Sequence, residues 1–319
     1  MSKPPINLNE ADKVRLQALK KENQSLRKEN AEQGNIILKQ YEEISLLKRF
    51  LSAMKNDEKN IEIYNIDDYE ELPDITKSRI KIVVKKKQEK YVKKEFENFT
   101  HEIFQQIVSK CDILLKYHHP CIIRIHCINY GDKTHPPSMI LSHEPKSLES
   151  AILNKELSPE QKNILTIEIV LGMRYIHKQK LIHRNLKPSN ILLSKKMHAR
   201  ISDFCLLLDE NLEADMNKNI AAMRFMAPEL FKKIESPTTY VYTNKVDIYS
   251  FGIILIYIIT EQYPKVNIKN VINGVLPTLP STIPNWVCEL IFSCLSLLPE
   301  NRPSFAEIFE IMKLNNYDM

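Results

Sequence analysis

His183, Arg184, Asn185, Lys187 and Asn190 fall within one stretch, His-Arg-Asn-Leu-Lys-Pro-Ser-Asn-Ile-Leu-Leu at 183–193. A basic side chain, an amide, a Lys two places on and a second amide make a polar set suited to handling phosphate and a metal ion. The residues before the stretch carry a helical apolar pattern. Those after it form short runs of Ile, Leu and Val broken by polar residues. The stretch is therefore predicted to be a loop between a helix and a hairpin, and loops held on rigid scaffolds carry chemistry.

The elements that must position this loop can be read on either side of it. Ser158-Pro159-Glu160-Gln161 is a capping box with Pro at the first helical position, and it opens a helix from Pro159 to His177 that delivers the loop. Downstream, the apolar run from Phe251 to Thr260 is half the roughly 20 residues a membrane span needs, so a buried core helix is expected and no transmembrane segment. The pair His118-His119 and His177 have no convincing ligand set nearby in sequence and read as structural.

Length and composition narrow the class. A chain of 319 residues with 43% hydrophobic and 27% charged residues fits one large or two modest globular domains. A formal net charge of +5 does not imply a nucleic-acid partner. The six cysteines show no C-x-x-C pair, and with no signal peptide they are expected to be reduced thiols in a cytoplasmic protein. Five glycines in the whole chain is the unusual figure.

Residues 1–12 read as a disordered terminus and 13–55 as a coiled coil. With Leu16 at position a, Asn23, Asn30, Ile37, Ile44 and Leu51 follow at a, and Leu19, Leu26, Gln33, Gln40, Leu47 and Met54 at d. Asn at a favours an in-register two-stranded partner. Glu22 facing Arg27 and Glu43 facing Lys48 support a parallel homodimer. The rod would be roughly 60 Å long at about 1.5 Å per residue. The alternative is a single amphipathic helix folded against the following domain. Residues 56–65 read as a linker, and 61–94 as two or three short strands. Lys81, Lys85, Lys86, Lys87, Lys90, Lys93 and Lys94 form a basic cluster; with little aromatic interleaving it is taken as a solvated strand edge rather than a lipid or nucleic-acid surface.

The stretch 183–193 resembles the catalytic loop of protein kinases, H-R-D-L-x-x-x-N. His183, Arg184, Leu186, Lys187, Pro188 and Asn190 match in place, while position 185 is Asn where the family has Asp. Further resemblances follow in the family's order. Ile82-Val83-Val84-Lys85 is similar to the V-A-I-K strand, His119-Pro120-Cys121-Ile122-Ile123 to the turn after the following helix, and Met139 to Pro145 to the inter-lobe strand and hinge. Ile201-Ser202-Asp203-Phe204-Cys205 is similar to D-F-G, Ala227-Pro228-Glu229 to A-P-E, Asp247-Ile248-Tyr249-Ser250-Phe251-Gly252 to the start of the central helix, and Leu298-Pro299-Glu300-Asn301-Arg302-Pro303 to the late Arg segment. The spacing from Asp247 to Arg302 looks most like the tyrosine-kinase-like serine/threonine kinases.

This resemblance implies an α+β, bilobal protein kinase fold over 66–315, with a small β-rich lobe and a large helical lobe, preceded by the coiled-coil helix. It implies Asn185 and Lys187, with Arg184, as the degenerate catalytic positions, and Lys85, Leu141 (gatekeeper), Ser142 and His143 as nucleotide contacts. Asn190 and Asp203 are the implied magnesium ligands, with ATP and Mg2+ as cofactors. It also implies that residues 93–117 form the helix whose Glu pairs with the strand Lys, that Asp247 binds loop backbone, and that Arg302 pairs with Glu229.

Five departures fall at different functional parts. No Gly lies between Tyr69 and Arg79, where the phosphate loop is expected. Lys110 stands where the helix Glu would, Asn185 replaces the loop Asp, Cys205 the D-F-G Gly, and Ala222 the Thr that braces the loop. The segment 206–226 contains no Ser, Thr or Tyr, so phosphorylation there cannot be its switch; Glu210, Glu213 and Asp215 are either a fixed substitute for phosphate against Arg184 or a solvated loop. Together these features predict a pseudokinase acting with protein partners as a dimeric scaffold or allosteric regulator. The alternatives are an active or weakly active serine/threonine kinase, and a coiled-coil adaptor with a structural kinase-fold cap.

Overall fold

In the computed structural model the chain divides into two compact units, 1–55 and 56–319. The described residues are 21, 62–63, 69–72, 80–85, 90–96, 102–105, 108–109, 119–132, 135–203, 223–235, 243–264 and 268–315. The terminus at 1–12 and the coiled coil at 13–55 therefore lie, apart from Lys21, outside them.

The small lobe of the second unit is a six-stranded sheet. Its strands are β1 (Glu62–Ile63), β2 (Tyr69–Glu71), β3 (Ile80–Lys85), β4 (Lys90–Glu95), β5 (Ile125–Asn129) and β6 (Ser138–Ser142), in the order β1-β5-β6-β4-β3-β2. All neighbours are antiparallel except β1 on β5, where Glu62 pairs with Cys127 and Ile63 with Ile128. Residues 62–63, where the linker reading of 56–65 and the strand reading of 61–94 overlap, form a strand. An open β5 edge offers unpaired backbone groups, and Glu62 and Ile63 occupy that edge.

Two expectations for this lobe are corrected. Residues 93–95 do not begin a helix but end β4; helical turns are described at 102–105 and 108–109. Lys and Glu favour helix locally, yet here they pair across strands. Lys93, 7% exposed, contacts Glu71 at 3.0 Å and Glu95 at 2.8 Å, and Lys81 reaches Glu71 and Glu95 at 3.2 and 3.1 Å. Burial works against the charge on all four groups, but these contacts outweigh it, raising the lysine and lowering the glutamate pKa values. Lys81 and Lys93 of the basic cluster are therefore ion-paired rather than simply solvated. The second correction follows. Because β4 is a strand, β3 is the second strand of the β2–β3 hairpin, and β4 occupies the place given in sequence to 82–85.

The large lobe opens with a short strand β7 (Lys146–Ser147) and helix α1 (Leu148–Leu153), then α2 (Pro159–Lys178). The predicted capping box is present: Ser158 accepts from the Gln161 N–H while Gln161 accepts from the Ser158 N–H. A hairpin of β8 (Ile191–Leu193) and β9 (Ala199–Ile201) follows the loop, and β7 pairs with β8. Helices α3 (Pro228–Glu235), α4 (Lys245–Thr260), α5 (Ile268–Ile272), α6 (Asn285–Cys294) and α7 (Phe305–Leu314) complete the lobe. Every residue of α4 from Val246 to Ile258 is buried, as expected for a core helix, and no helix among the described residues is long and apolar enough to cross a membrane. Two helices approach their neighbours closely at glycines. A Cβ at Gly172 of α2 would lie 2.6 Å from Ile201 Cδ1 of β9 and 3.2 Å from the Cys121 carbonyl oxygen, and one at Gly252 of α4 would lie 3.0 Å from Cys294 Cβ of α6.

Two buried polar arrangements fasten this lobe. Arg302, with no side-chain exposure, donates to both Glu229 carboxylate oxygens at 2.7 Å, to the Ser296 carbonyl at 2.9 Å and to the Lys245 carbonyl at 3.0 Å. The expected pair is present. At the lobe boundary, His119 stacks on Tyr175 at 4.7 Å and its Nδ1 accepts the Cys121 N–H at 3.2 Å. Burial, helped by the charge of Arg200, lowers the His119 pKa to about 3. Backbone bonds from Ile123 to Ile201 and from Ile201 to Cys121 then tie this turn to β9.

Removing one partner of a buried ion pair leaves an uncompensated charge. Glu229→Ala is expected to lower stability by about 3–5 kcal/mol in urea denaturation, and the double variant Glu229→Leu/Arg302→Met to lose less than Glu229→Ala alone. For His119 the unfolded chain binds a proton below pH 6.5 that the folded one refuses until about pH 3. Stability is therefore lost as pH falls through that window, by up to about 1.4 kcal/mol per pH unit from this group. His119→Asn, which keeps an acceptor but does not titrate, should flatten the fall in urea midpoint between pH 7 and pH 5.

Candidate functional site

The loop at 183–190 is held from beneath by Asp247, fully buried in the first turn of α4. Its Oδ2 accepts the His183 N–H and its Oδ1 the Arg184 N–H, both at 2.8 Å, and His177 Nε2 lies 2.8 Å from Oδ2. His183 is itself buried, and burial lowers its pKa despite the nearby Asp247 and Asp203 charges. Its Nδ1 accepts the Asn185 N–H at 3.3 Å, so the ring proton sits on Nε2 and is donated to the Ser202 carbonyl at 2.9 Å. These contacts set the loop's curvature, with Arg184 in the left-handed region at φ 65°. His177 thus has a structural contact at Asp247, as His119 has at Cys121 and Tyr175, and His118 lies outside the described residues.

Beyond Leu186, which is buried, the chain makes a 3-10 turn at Pro188–Asn190. Asn190 Nδ2 donates to the Asn185 carbonyl at 2.8 Å, so its amide oxygen is the atom left to act as a ligand. The Asn190 carbonyl accepts both the N–H and the hydroxyl of Ser202 at 2.9 Å. That brings Asp203, at φ 63°, alongside Asn190, as the sequence led one to expect. The Asn185 side chain lines a small recess together with Arg184, Lys187, Phe225, Met226 and Ser250. The recess opens between the loop and the segment before α3.

The strand lysine differs from expectation. Lys85 pairs in register with Tyr69 at the far end of the β2–β3 hairpin, one strand removed from the lobe boundary. The residue that reaches Asp203 is Lys94 of β4, whose Nζ lies 2.8 Å from Asp203 Oδ1. Its neighbour on the same face, Val92, pairs with Leu141 of β6, and Leu141 also pairs with Ile125 of β5. Leu141 thus lies in register between Val92 of β4 and Ile125 of β5, one residue before the end of β6.

Ser142 ends β6 and its N–H donates to the Arg124 carbonyl at 3.0 Å. A bulge between Ile125 and Cys127 turns His126 toward the hinge, where its Nε2 lies 2.9 Å from Ser142 Oγ. His143 and Glu144 leave the sheet with half-buried side chains. Burial, then the charges of Lys90 and Lys195, lowers the His143 pKa; burial raises that of Glu144, opposed by Arg200 and Lys195.

The model of the protein tyrosine and serine/threonine kinase family matches residues 68–312. The chain belongs to the protein kinase family. It is 32% identical over 225 residues to the serine/threonine/tyrosine-protein kinase HT1 of Arabidopsis thaliana, covering 67% of this chain and 55% of that one. Over 154 residues it is 38% identical to an RGS domain-containing serine/threonine-protein kinase A of Dictyostelium discoideum, 46% of this chain and 13% of that protein. It is 37% identical over 179 residues to the mitogen-activated protein kinase kinase kinase dlk-1 of Caenorhabditis briggsae, 50% of this chain and 20% of that protein. The chain therefore spans 13 to 55% of the length of these relatives.

Within this kinase fold, Arg184, Asn185 and Lys187 line one recess, Ser202 ties Asp203 to Asn190, Leu141, Ser142 and His143 lie at the end of β6, and Lys94 rather than Lys85 contacts Asp203. Lys94 was legible only by counting strands: Tyr91-Val92-Lys93-Lys94 is preceded by the two strands a hairpin needs. Lys110, Cys205, Ala221, Ala222 and the acidic residues 210, 213 and 215 lie outside the described residues. Family members bind ATP and Mg2+, and the two groups fit this site unequally. The hinge residues His143 and Glu144 leave the sheet beyond Leu141 and Ser142. The loop joining β2 to β3 has no Gly, and Asp203 is already neutralised by an ammonium.

Asp247→Asn leaves a carboxamide with one acceptor oxygen facing two backbone N–H groups. The substitution is expected to cost about 2–3 kcal/mol in denaturant unfolding, and to speed amide hydrogen exchange at His183 and Arg184.

Proposed function

We propose that this kinase-fold chain is a pseudokinase, a regulatory protein that responds to nucleotide and acts through protein partners, with copies paired by the N-terminal coiled coil. The observation that carries the reading is Asn185 at the recess. The loop backbone is braced by Asp247, His183 and Asn190 as chemistry requires, yet the side chain it presents is an amide. Bound ATP would supply the transferable phosphoryl group. The Asn185 oxygen can accept a hydrogen bond from an incoming hydroxyl but is too weak a base to take its proton, and general base contributions are typically about 10² to 10⁴-fold.

The surrounding residues support retention of binding without efficient transfer. Leu141 and Val92 supply apolar walls, the hinge backbone at His143 and Glu144 supplies polar groups outside the sheet, and Lys94 and Lys187 supply positive charge. Lys187 and Arg184 beside the recess would orient an anionic or phosphorylated group rather than a neutral hydroxyl. The structural Arg302–Glu229 and Asp247 contacts, by contrast, are intact, which fits selection for the fold as a surface.

Phosphate incorporation from radiolabelled ATP into generic protein substrates is expected to be the same for the full chain and for Lys94→Met. Turnover that Lys94→Met removes would instead establish an active kinase. In parallel, ATP at about 100 times its dissociation constant should stabilise the folded chain by about 2.7 kcal/mol, read as a raised unfolding midpoint. Lys94→Met should shrink that shift, and Lys85→Met should leave it unchanged.

A further inference from the structure

Lys94 and Asp203 come from opposite lobes and meet at 2.8 Å with 16% and 26% of their side chains exposed. Each is fixed at its own end. Lys94 is held in a central strand, paired in register with Ile80 on β3 and Met139 on β6. Asp203 follows Ser202, which is bonded twice to the Asn190 carbonyl, and its backbone is in the left-handed region. The backbones that carry the two groups are thus fixed, and their side chains meet across the lobe boundary.

A lysine in such a place needs a counter-charge. The position counted back nine residues from His119 holds Lys110 rather than a carboxylate, so the sequence offers Lys94 no second anion there to draw it off Asp203. A divalent ion approaching Asp203 would find Oδ1 taken and a like charge within a few ångströms. In a partly shielded site that repulsion is little screened. An ammonium has three N–H donors. With one of them on Asp203, the others can face a phosphate oxygen.

We infer that Lys94 stands in for the divalent cation, so that this site takes a nucleoside di- or triphosphate without metal. The ammonium bridges Asp203 and the phosphate chain, while Asn190 Nδ2 keeps its bond to the Asn185 carbonyl. The absence of a glycine loop between β2 and β3 is consistent with this. Without close backbone amides around the terminal phosphates, the side-chain cation and the hinge provide the recognition. The inference rests on the nucleotide-binding reading given above and adds to it the form in which nucleotide is bound.

Calorimetric titration of ATP into the full chain, in EDTA and then in magnesium chloride, tests it. The two affinities are expected to agree within about threefold, and Asp203→Asn, which frees Lys94, should bind ATP in EDTA at least as tightly as the parent. Lys94→Met should lose roughly tenfold or more in EDTA. With Asp203 released it should now bind better with magnesium than without. An affinity of the parent chain that rises roughly tenfold or more on adding magnesium, and that Asp203→Asn abolishes, overturns metal-free binding while leaving nucleotide binding intact. Absence of binding in both buffers overturns nucleotide binding itself. If Lys94→Met proves unfolded by circular dichroism, the parent and Asp203→Asn titrations decide the matter without it.

Discussion

The carboxylate of Asp247 has no exposure to solvent and accepts from two consecutive backbone amides of the 183–190 loop while meeting the His177 ring. Removing a carboxylate from water is costly unless its lone pairs are satisfied, and here the satisfaction comes from two elements at once, the end of α2 and the loop, both joined in this way to α4. The polar geometry of the site is built outward from this contact. His183 can donate to Ser202 only because its ring is oriented by the loop, Asn190 can close on Asn185 only when the loop is curved, and Asp203 is placed by Ser202. The site is thus a consequence of how one helix terminus was buried.

The large lobe could be read from its sequence because its signals are local. A capping box with Pro159 starts α2 where expected, an all-apolar run makes α4 a core helix, and the Glu229–Arg302 pair was anticipated from flanking motifs. The small lobe resisted because its determinants are not local. Residues 93–95 open a Lys- and Glu-rich stretch that reads as helix, and only the partners Glu71 and Lys81, on two other strands, make them the buried end of a strand. Reading 61–94 as two or three strands without setting β4 apart displaced the strand lysine from 94 to 85. The Leu141 hinge and the loop residues 184, 185, 187 and 190 were unaffected, because their motifs carry their own spacing. The bulge that aims His126 at Ser142 has no sequence mark of its own.

The departures from the kinase pattern are distributed unevenly. The contacts that fasten the large lobe, Asp247 to the loop and Arg302 to Glu229, are retained, whereas the changes fall at position 185 and in the glycine-free segment before β3. Such a division is understandable energetically. A lost base or glycine loop leaves the folded state intact, while a lost partner for Arg302 leaves a buried charge unpaired. Marginal stability therefore keeps the second kind of residue in place even where the first kind has drifted.

The strand β1 also bears on how this lobe behaves in a crowded solution. A sheet edge is a template on which another chain can add a strand, and a row of sheets can grow that way. Here the chain's own Glu62 and Ile63 cover the β5 edge. The opposite edge, β2, is only three residues long and carries two glutamates, Glu70 and Glu71, that are exposed. Among the described residues the sheet thus ends in a two-residue strand on one side and a short acidic strand on the other, so neither margin offers a long template for open-ended polymerisation.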